Sequence, residues 1–499
     1  MRPLGTFLVL MVFTLYGCAP DSETPELRVL YVGVNPETAE LSESEKIGVL
    51  HTERLLEFKQ ARTASFERFL QAHFAAVDVV FADEYNESLS DNYDVTIFGD
   101  NIKPSKETVS KQNEDGSRQF EMPVYLSAEF DRPAILVSMM GPLVAEPLDY
   151  KMDWLCYCLD AYAHNVKQDH PIFSEPVKVD LTFSEQPTPE NYLNYYNGRN
   201  LPDTLPMWRV QTEGYMQGNG FPIGMVSSGG AFEDAPDSEV ISGGINTKPV
   251  NAAAISRHGN FLHWGFAASP DEMTEEARQV FVNAIHYIAR FDGNKPYSRR
   301  ALRTLTRDLA LDQGFRAADV EKSYAGHVDF IEELNERETT LLTKRQEAGV
   351  KLTFSERRFL ANGGYEIPTL DDYVEQRILD RLPEELVDRF GMDLGRYLDY
   401  YEENVEFLVP DSSPYQYVVD PDAAALGVSN RQTEILDRAI SLLEHDPTDP
   451  RARRLLARYT AASLETPAEW REWFAANVDR MYFAELNGQK FRLIPDDVN

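Results

Sequence analysis

Cysteine is scarce, with 3 in 499 residues, which excludes a disulfide framework and a cysteine-rich zinc site. Basic residues are also few. Against 82 Asp and Glu stand 48 Lys and Arg, a formal net charge of −34. Neutralising a phosphate backbone needs Lys and Arg, so general nucleic-acid binding is excluded. No run reaches the roughly 18 apolar residues that a membrane-spanning helix needs. What remains is a core-forming composition, 43% hydrophobic and 11% aromatic, too apolar for a largely disordered chain. At about 100–200 residues per domain, the length corresponds to two or three domains.

The N-terminus carries the most specific signal. Arg2 supplies a positive start, and the apolar run Leu4–Leu15 has signal-peptide length but is short for a membrane span. The run ends in Leu15-Tyr16-Gly17-Cys18. This resembles the bacterial lipobox, in which the cysteine after a small residue receives a diacylglyceryl group. The alternative is an ordinary secretory signal with a chance cysteine. Under the resemblance, residues 1–17 are a signal peptide, Cys18 is the lipidation site and 18–26 form a tether. The bilayer, reached through acylated Cys18, is then a partner. Location is extracytoplasmic, and Ala19 after the cysteine points to the outer membrane in a Gram-negative host.

The next segment alternates short β-rich runs with a helical pattern. Leu27–Val34, Val77–Phe81, Tyr93–Phe98 and Pro133–Met140 read as buried strands, and Glu53–Phe74 as a helix. Ile102–Arg132 is polar and reads as an inserted hairpin or flap. A helix is expected from Gly141-Pro142 through Trp154 to about Ala163. Asn251–Ser256 and Phe261–Phe266 read as a hairpin, and Ser269-Pro270-Asp271-Glu272 as the capping start of a helix ending near Asp292-Gly293. This order predicts a doubly wound α/β layer with ligands beyond the C-terminal strand ends.

The opening strand, Tyr93–Asp100, Asp169-His-Pro-Ile-Phe173 and Gly259–Phe266 with its helix resemble the ThuA-like domain over about residues 27–293. That family belongs to the class I glutamine amidotransferase-like superfamily. The resemblance implies a flavodoxin-like doubly wound sheet over 27–295 and an association with sugar utilisation. Amidotransferase members place a nucleophilic cysteine after a central strand. Here that stretch reads Ser138-Met139-Met140-Gly141, so glutaminase chemistry is disfavoured.

The remaining candidates divide between function and structure. Asp100 and Asn101 follow a strand with Gly99, where α/β sheets place ligand contacts, although polar residues also simply end strands. Gly141 opens a helix whose N–H groups could meet an anion. Asp169 and His170, with His164, form either a pocket lining or a structural group opening a strand. Cys156 and Cys158, on an expected helix, read as buried free thiols. Trp208, Tyr215 and Trp264 suit either sugar stacking or the core. Ser228–Gly230 and Gly243-Gly244 read as turns, and His286 as structural. No catalytic residue, cofactor or metal is implied.

From 296 to 499 the pattern becomes helical. Helices are expected at Tyr297–Asp312, Val320–Glu347, Thr353–Asn362, Leu370–Arg389, Leu394–Phe407, Arg431–Glu444, Pro450–Thr460 and Pro467–Tyr482, with a closing strand at Lys490–Ile494. The acidity is shared, −21 before residue 296 and −13 after it. The resulting expectation is a tethered protein binding a small ligand, with carbohydrate the candidate, at the sheet end. A sugar-modifying enzyme and a purely structural envelope protein are the alternatives.

Overall fold

The computed structural model describes residues 26–41, 52–112, 118–217, 219–300, 306–347, 349, 351–411 and 415–496. The expected signal peptide, Cys18 and most of the tether lie outside them. Among the described residues no helix is long and apolar enough to cross a membrane.

The first half follows the alternation of its sequence. Strand β1 is Arg28–Gly33, helix α1 Thr52–Gln71, β2 Ala76–Phe81 and β3 Val95–Phe98. The polar insertion forms a hairpin of β4 (Val109–Gln112) and β5 (Arg118–Glu121). Then come β6 (Ala134–Val137), α2 (Met140–Ala145), β7 (Cys156–Leu159), β8 (Tyr162–His164), β9 (Phe183–Pro187) and β10 (Thr204–Arg209). They are followed by β11 (Gly224–Val226), β12 (Ser238–Gly244), β13 (Ile255–His258), β14 (Phe261–Trp264) and α3 (Glu275–Ile288).

Ten of these strands make one mixed sheet in the order β2-β1-β3-β6-β14-β13-β12-β8-β10-β9. The first five pair in parallel and the rest antiparallel. Side chains alternate across the parallel strands. Val29, Tyr31, Val95, Ile97, Ile135 and Val137 face one core with Phe66 and Leu70 of α1 and Phe281 and Ile285 of α3. Leu30, Val32, Phe98 and Leu136 face the other, with Met140 and Val144 of α2 and Phe130 and Tyr150 from flanking loops. Burial on both faces explains why these strands read as unbroken apolar runs.

Several expectations are corrected. The helix from Gly141 to Ala163 stops at Ala145, and Trp154–Ala163 supplies β7 and β8 instead. Cys156 and Cys158 are not free thiols; they form a disulfide with Cα atoms 5.3 Å apart. Alternation on a strand turns residues i and i+2 to one side, where a helix would separate them. Gly243-Gly244 is not a turn but the end of β12. A Cβ on Gly243 would meet the His164 ring at 2.7 Å, so close packing requires glycine there. Ser269 starts a single 3-10 turn, and Thr274 caps α3 through the Ala277 N–H.

Residues after 306 fill two further apolar clusters, one around Leu436, Leu455 and Tyr459, the other around Tyr397, Tyr401 and Tyr417. The expected helix Tyr297–Asp312 is displaced to Asp308–Ala318. The expected helix Leu370–Arg389 is broken into short turns, with Pro383 restarting it at Glu384. Met481 and Tyr482 leave the expected last helix for a strand that pairs with Lys490–Leu493. Thr466 and Glu469 form a capping box at the start of that helix. Buried Lys151 ion-pairs with Asp234, whose other oxygen accepts the Leu486 N–H at 3.3 Å, joining the two halves.

Candidate functional site

The C-terminal ends of β3, β6 and β14 open on one half-open cleft, with a volume of about 100 Å3. Topology explains its position. The second and third strands lie on opposite sides of β1, and such a reversal leaves a crevice above the strand ends. Gly99, Asp100 and Asn101 enter the cleft from β3, and Ser138 and Met139 from β6. Ala267, Ala268 and Ser269 follow β14 into it. Leu55, Phe58, Lys59 and Arg62 share one face of α1 by their i, i+3, i+4, i+7 spacing and line the side. Phe221 and Trp154, the latter 43% exposed, complete an aromatic wall with Tyr157.

The polar groups are held firmly. Lys59 Nζ lies 4.0 Å from Asp100 Oδ1. Arg62 donates from Nε to the Gly99 carbonyl at 2.9 Å and from Nη1 to the Ala267 carbonyl at 2.5 Å. Its guanidinium lies 5.2 Å from the centre of the Phe66 ring, and Phe66 in turn stacks on Tyr31 at 4.7 Å. Tyr31 is fully buried, and its hydroxyl has no hydrogen-bond partner among the described residues. Burial pushes its phenol pKa up, with the Arg62 charge opposing. Gly99 makes this arrangement possible, since a Cβ there would sit 2.2 Å from the Tyr31 oxygen. At the rim, Glu272 accepts the Ser269 hydroxyl, and burial raises its carboxyl pKa.

Ser138 sits between β6 and α2 with a φ of 51°. A non-glycine residue in this region costs about 1–3 kcal/mol, and such strain gathers at functional sites. Its Oγ donates to the Ile223 carbonyl at 3.4 Å. His263 secures the same turn, with Nε2 3.0 Å from the Ser138 carbonyl. A carbonyl only accepts, so Nε2 carries the proton. Burial draws the His263 pKa down to about 4, leaving the ring neutral at pH 7. The imidazole therefore grips the backbone and not the hydroxyl. Nucleophilic serine chemistry needs a base on Oγ, and among the described residues no imidazole or carboxylate bonds to it.

Asp100 and Asn101 line the cleft, as expected at that strand end. Gly141 does not. It packs against His263, whose ring a Cβ would approach to 2.5 Å. Asp169 is exposed and lies outside the cleft lining, and so does His170. His170 does not open a strand; it caps the 3-10 turn Pro171–Phe173 by accepting the Ile172 N–H. Its ring packs 4.7 Å from Tyr287, with Nε2 3.5 Å from Glu239. His164 bonds the Tyr192 hydroxyl at 2.8 Å, so the two histidines form no cluster. No group of three His, Cys, Asp or Glu suited to a metal occurs among the described residues. Trp208 and Trp264 are core residues, and Tyr215 is half-buried with its hydroxyl donating to the Cys158 carbonyl.

Sequence reasoning missed Arg62, Ser138, Trp154 and Tyr31. Arg62 and Lys59 lie on the apolar face of α1 at the spacing that the periodicity already displayed. Tyr31 sits inside an apolar strand run, where it reads as core. The positive φ at Ser138 has no Gly or Asn to announce it. Compared with family models, curated proteins and solved structures, the chain matches none.

Proposed function

We propose that this chain is a lipid-tethered extracytoplasmic binding protein that takes a small polar ligand, of carbohydrate type, in the cleft above β3, β6 and β14. The single observation that carries the reading is the pairing of an exposed aromatic wall with fixed polar groups. Trp154 and Tyr157, ring centroids 6.4 Å apart, face the same cleft as Asp100, Asn101 and Lys59. Sugars present apolar ring faces to aromatic rings and hydroxyls to carboxylates and amides. The cleft is half-open, and its volume of about 100 Å3, against about 300–1,000 Å3 for common ligand clefts, covers only part of one ring and cannot enclose an oligomer.

The parallel order β2-β1-β3-β6-β14 supports a flavodoxin-like, ThuA-like reading of the sheet, because it is the 2-1-3-4-5 order of that fold. Among the described residues no base bonds to Ser138 Oγ, which argues against acyl-transfer chemistry of the amidotransferase kind. The strain at Ser138 favours a second reading, a sugar-modifying enzyme, and turnover of a bound sugar is its signature.

A thermal-shift screen of the protein against neutral and acidic monosaccharides tests binding. A concentration-dependent rise in Tm that Asp100→Ala abolishes supports the reading. A flat response across the panel contradicts it. For the tether, Cys18→Ser is expected to move the protein from membranes to the soluble fraction. Unchanged membrane association contradicts lipidation at Cys18.

A further inference from the structure

We infer that the ligand carries an anionic group, a carboxylate or phosphate on a ring-sized body, and that Arg62 receives it. This rests on the reading of the cleft as a ligand site and names the ligand's chemical class. The cleft lies in a chain of net charge −34, a setting in which an uncompensated cation is conspicuous. Arg62 is a cation that forms no ion pair among the described residues, although the nearby Glu272 carboxylate feels its charge. Its two hydrogen bonds run to the carbonyls of Gly99 and Ala267, which orient the guanidinium without cancelling its charge. Among the described residues no carboxylate lies within 4.0 Å of it.

The other charged groups of the cleft do not remove this preference. Lys59 and Asp100 form an ion pair at 4.0 Å and largely offset each other. Glu272 accepts the Ser269 hydroxyl and feels the Arg62 charge without forming an ion pair with it, so it offsets that charge only in part. Beneath them the buried Tyr31 hydroxyl, which reaches hydrogen-bonding geometry with no group among the described residues, stays neutral and feels the Arg62 charge. A guanidinium fixed by two carbonyls is preorganised, so it loses little side-chain entropy on meeting an anion. Hydrogen bonds in which both partners are charged are about twice as strong as neutral ones. The aromatic wall then covers the body of the ligand.

Calorimetric titration with D-glucuronate, D-glucose 6-phosphate and D-glucose tests this. At least one of the two anionic sugars is expected to bind ten times more tightly than glucose, and which one does so assigns carboxylate or phosphate. Arg62→Gln should reduce that affinity tenfold or more, and by a larger factor than it reduces glucose binding, so that the preference for the anionic sugar over glucose falls. Arg62→Lys, which keeps the charge, should retain most of it and guards against misfolding of the first variant. Equal binding of all three sugars overturns the anionic subsite and leaves the cleft reading standing. No binding of any of them overturns both.

Discussion

The His263 imidazole donates to the Ser138 carbonyl at 3.0 Å, so a buried ring on one strand fixes the left-handed turn at the end of its neighbour. The bond places Ser138 at the cleft while committing the histidine to the backbone. Strain and support therefore belong to one unit.

Ser138→Gly should relieve that strain. Glycine enters the left-handed region without a Cβ penalty, and the Oγ bond it forfeits is long at 3.4 Å. The expected gain is about 1 kcal/mol in urea unfolding, whereas Ser138→Val should lose about 2 kcal/mol or more. A destabilised glycine variant contradicts strain at this turn.

Buried histidines set a pH dependence. Burial lowers the pKa of both His164 and His263 to about 4, against about 6.5 when unfolded. Between these values the unfolded chain binds protons that the folded chain refuses. Stability is therefore full above pH 6.5 and falls as the pH drops toward 4, by on the order of 3 kcal/mol per ring. Asp153 works in the opposite sense, since burial raises its pKa to about 7 and that contribution weakens as pH rises from 4 to 7. Urea midpoints of wild type and His263→Gln at pH 7 and pH 5 separate the two effects. The variant should lose less between those pH values; an equal loss contradicts a neutral buried ring.

The Cys156–Cys158 disulfide predicts that unfolded, unreduced protein shows no reactive thiol from either position. Closing so short a loop is worth only about 1.5 kcal/mol. Reduction should therefore lower Tm by a few degrees without unfolding the chain. Two thiols titrating without reductant would contradict the bond.

Legibility in the sequence followed burial. Strands buried on both faces announce themselves as apolar runs, so the expected ends of β1, β2, β3 and β6 lie within three residues of the observed ones. Trp154–Leu159 is equally apolar, but periodicity cannot tell so short a run from a helix; its pairing with β11 decides. The Lys490–Leu493 strand was read from local composition, while its partner Met481–Ala484 was hidden in an apparent helical stripe. At the site, Asp100 and Asn101 were visible because strand ends are visible. Trp154 reached the cleft only because α2 stops at Ala145. Asp169 and His170 offer a pocket lining or a structural group in the sequence, and β8 with the 3-10 turn after it carries them to the antiparallel side of the sheet, away from the cleft.

The central claim is that the cleft beside Trp154 binds the ligand, and one comparison tests it most directly. It is the calorimetric Kd of wild type and Trp154→Ala for the tightest-binding sugar among glucuronate, glucose 6-phosphate and glucose. Loss of one stacked aromatic face should weaken binding about tenfold. Tm should stay unchanged, because Trp154 is 43% exposed and adds little to the core. An unaltered Kd in the variant would contradict the account.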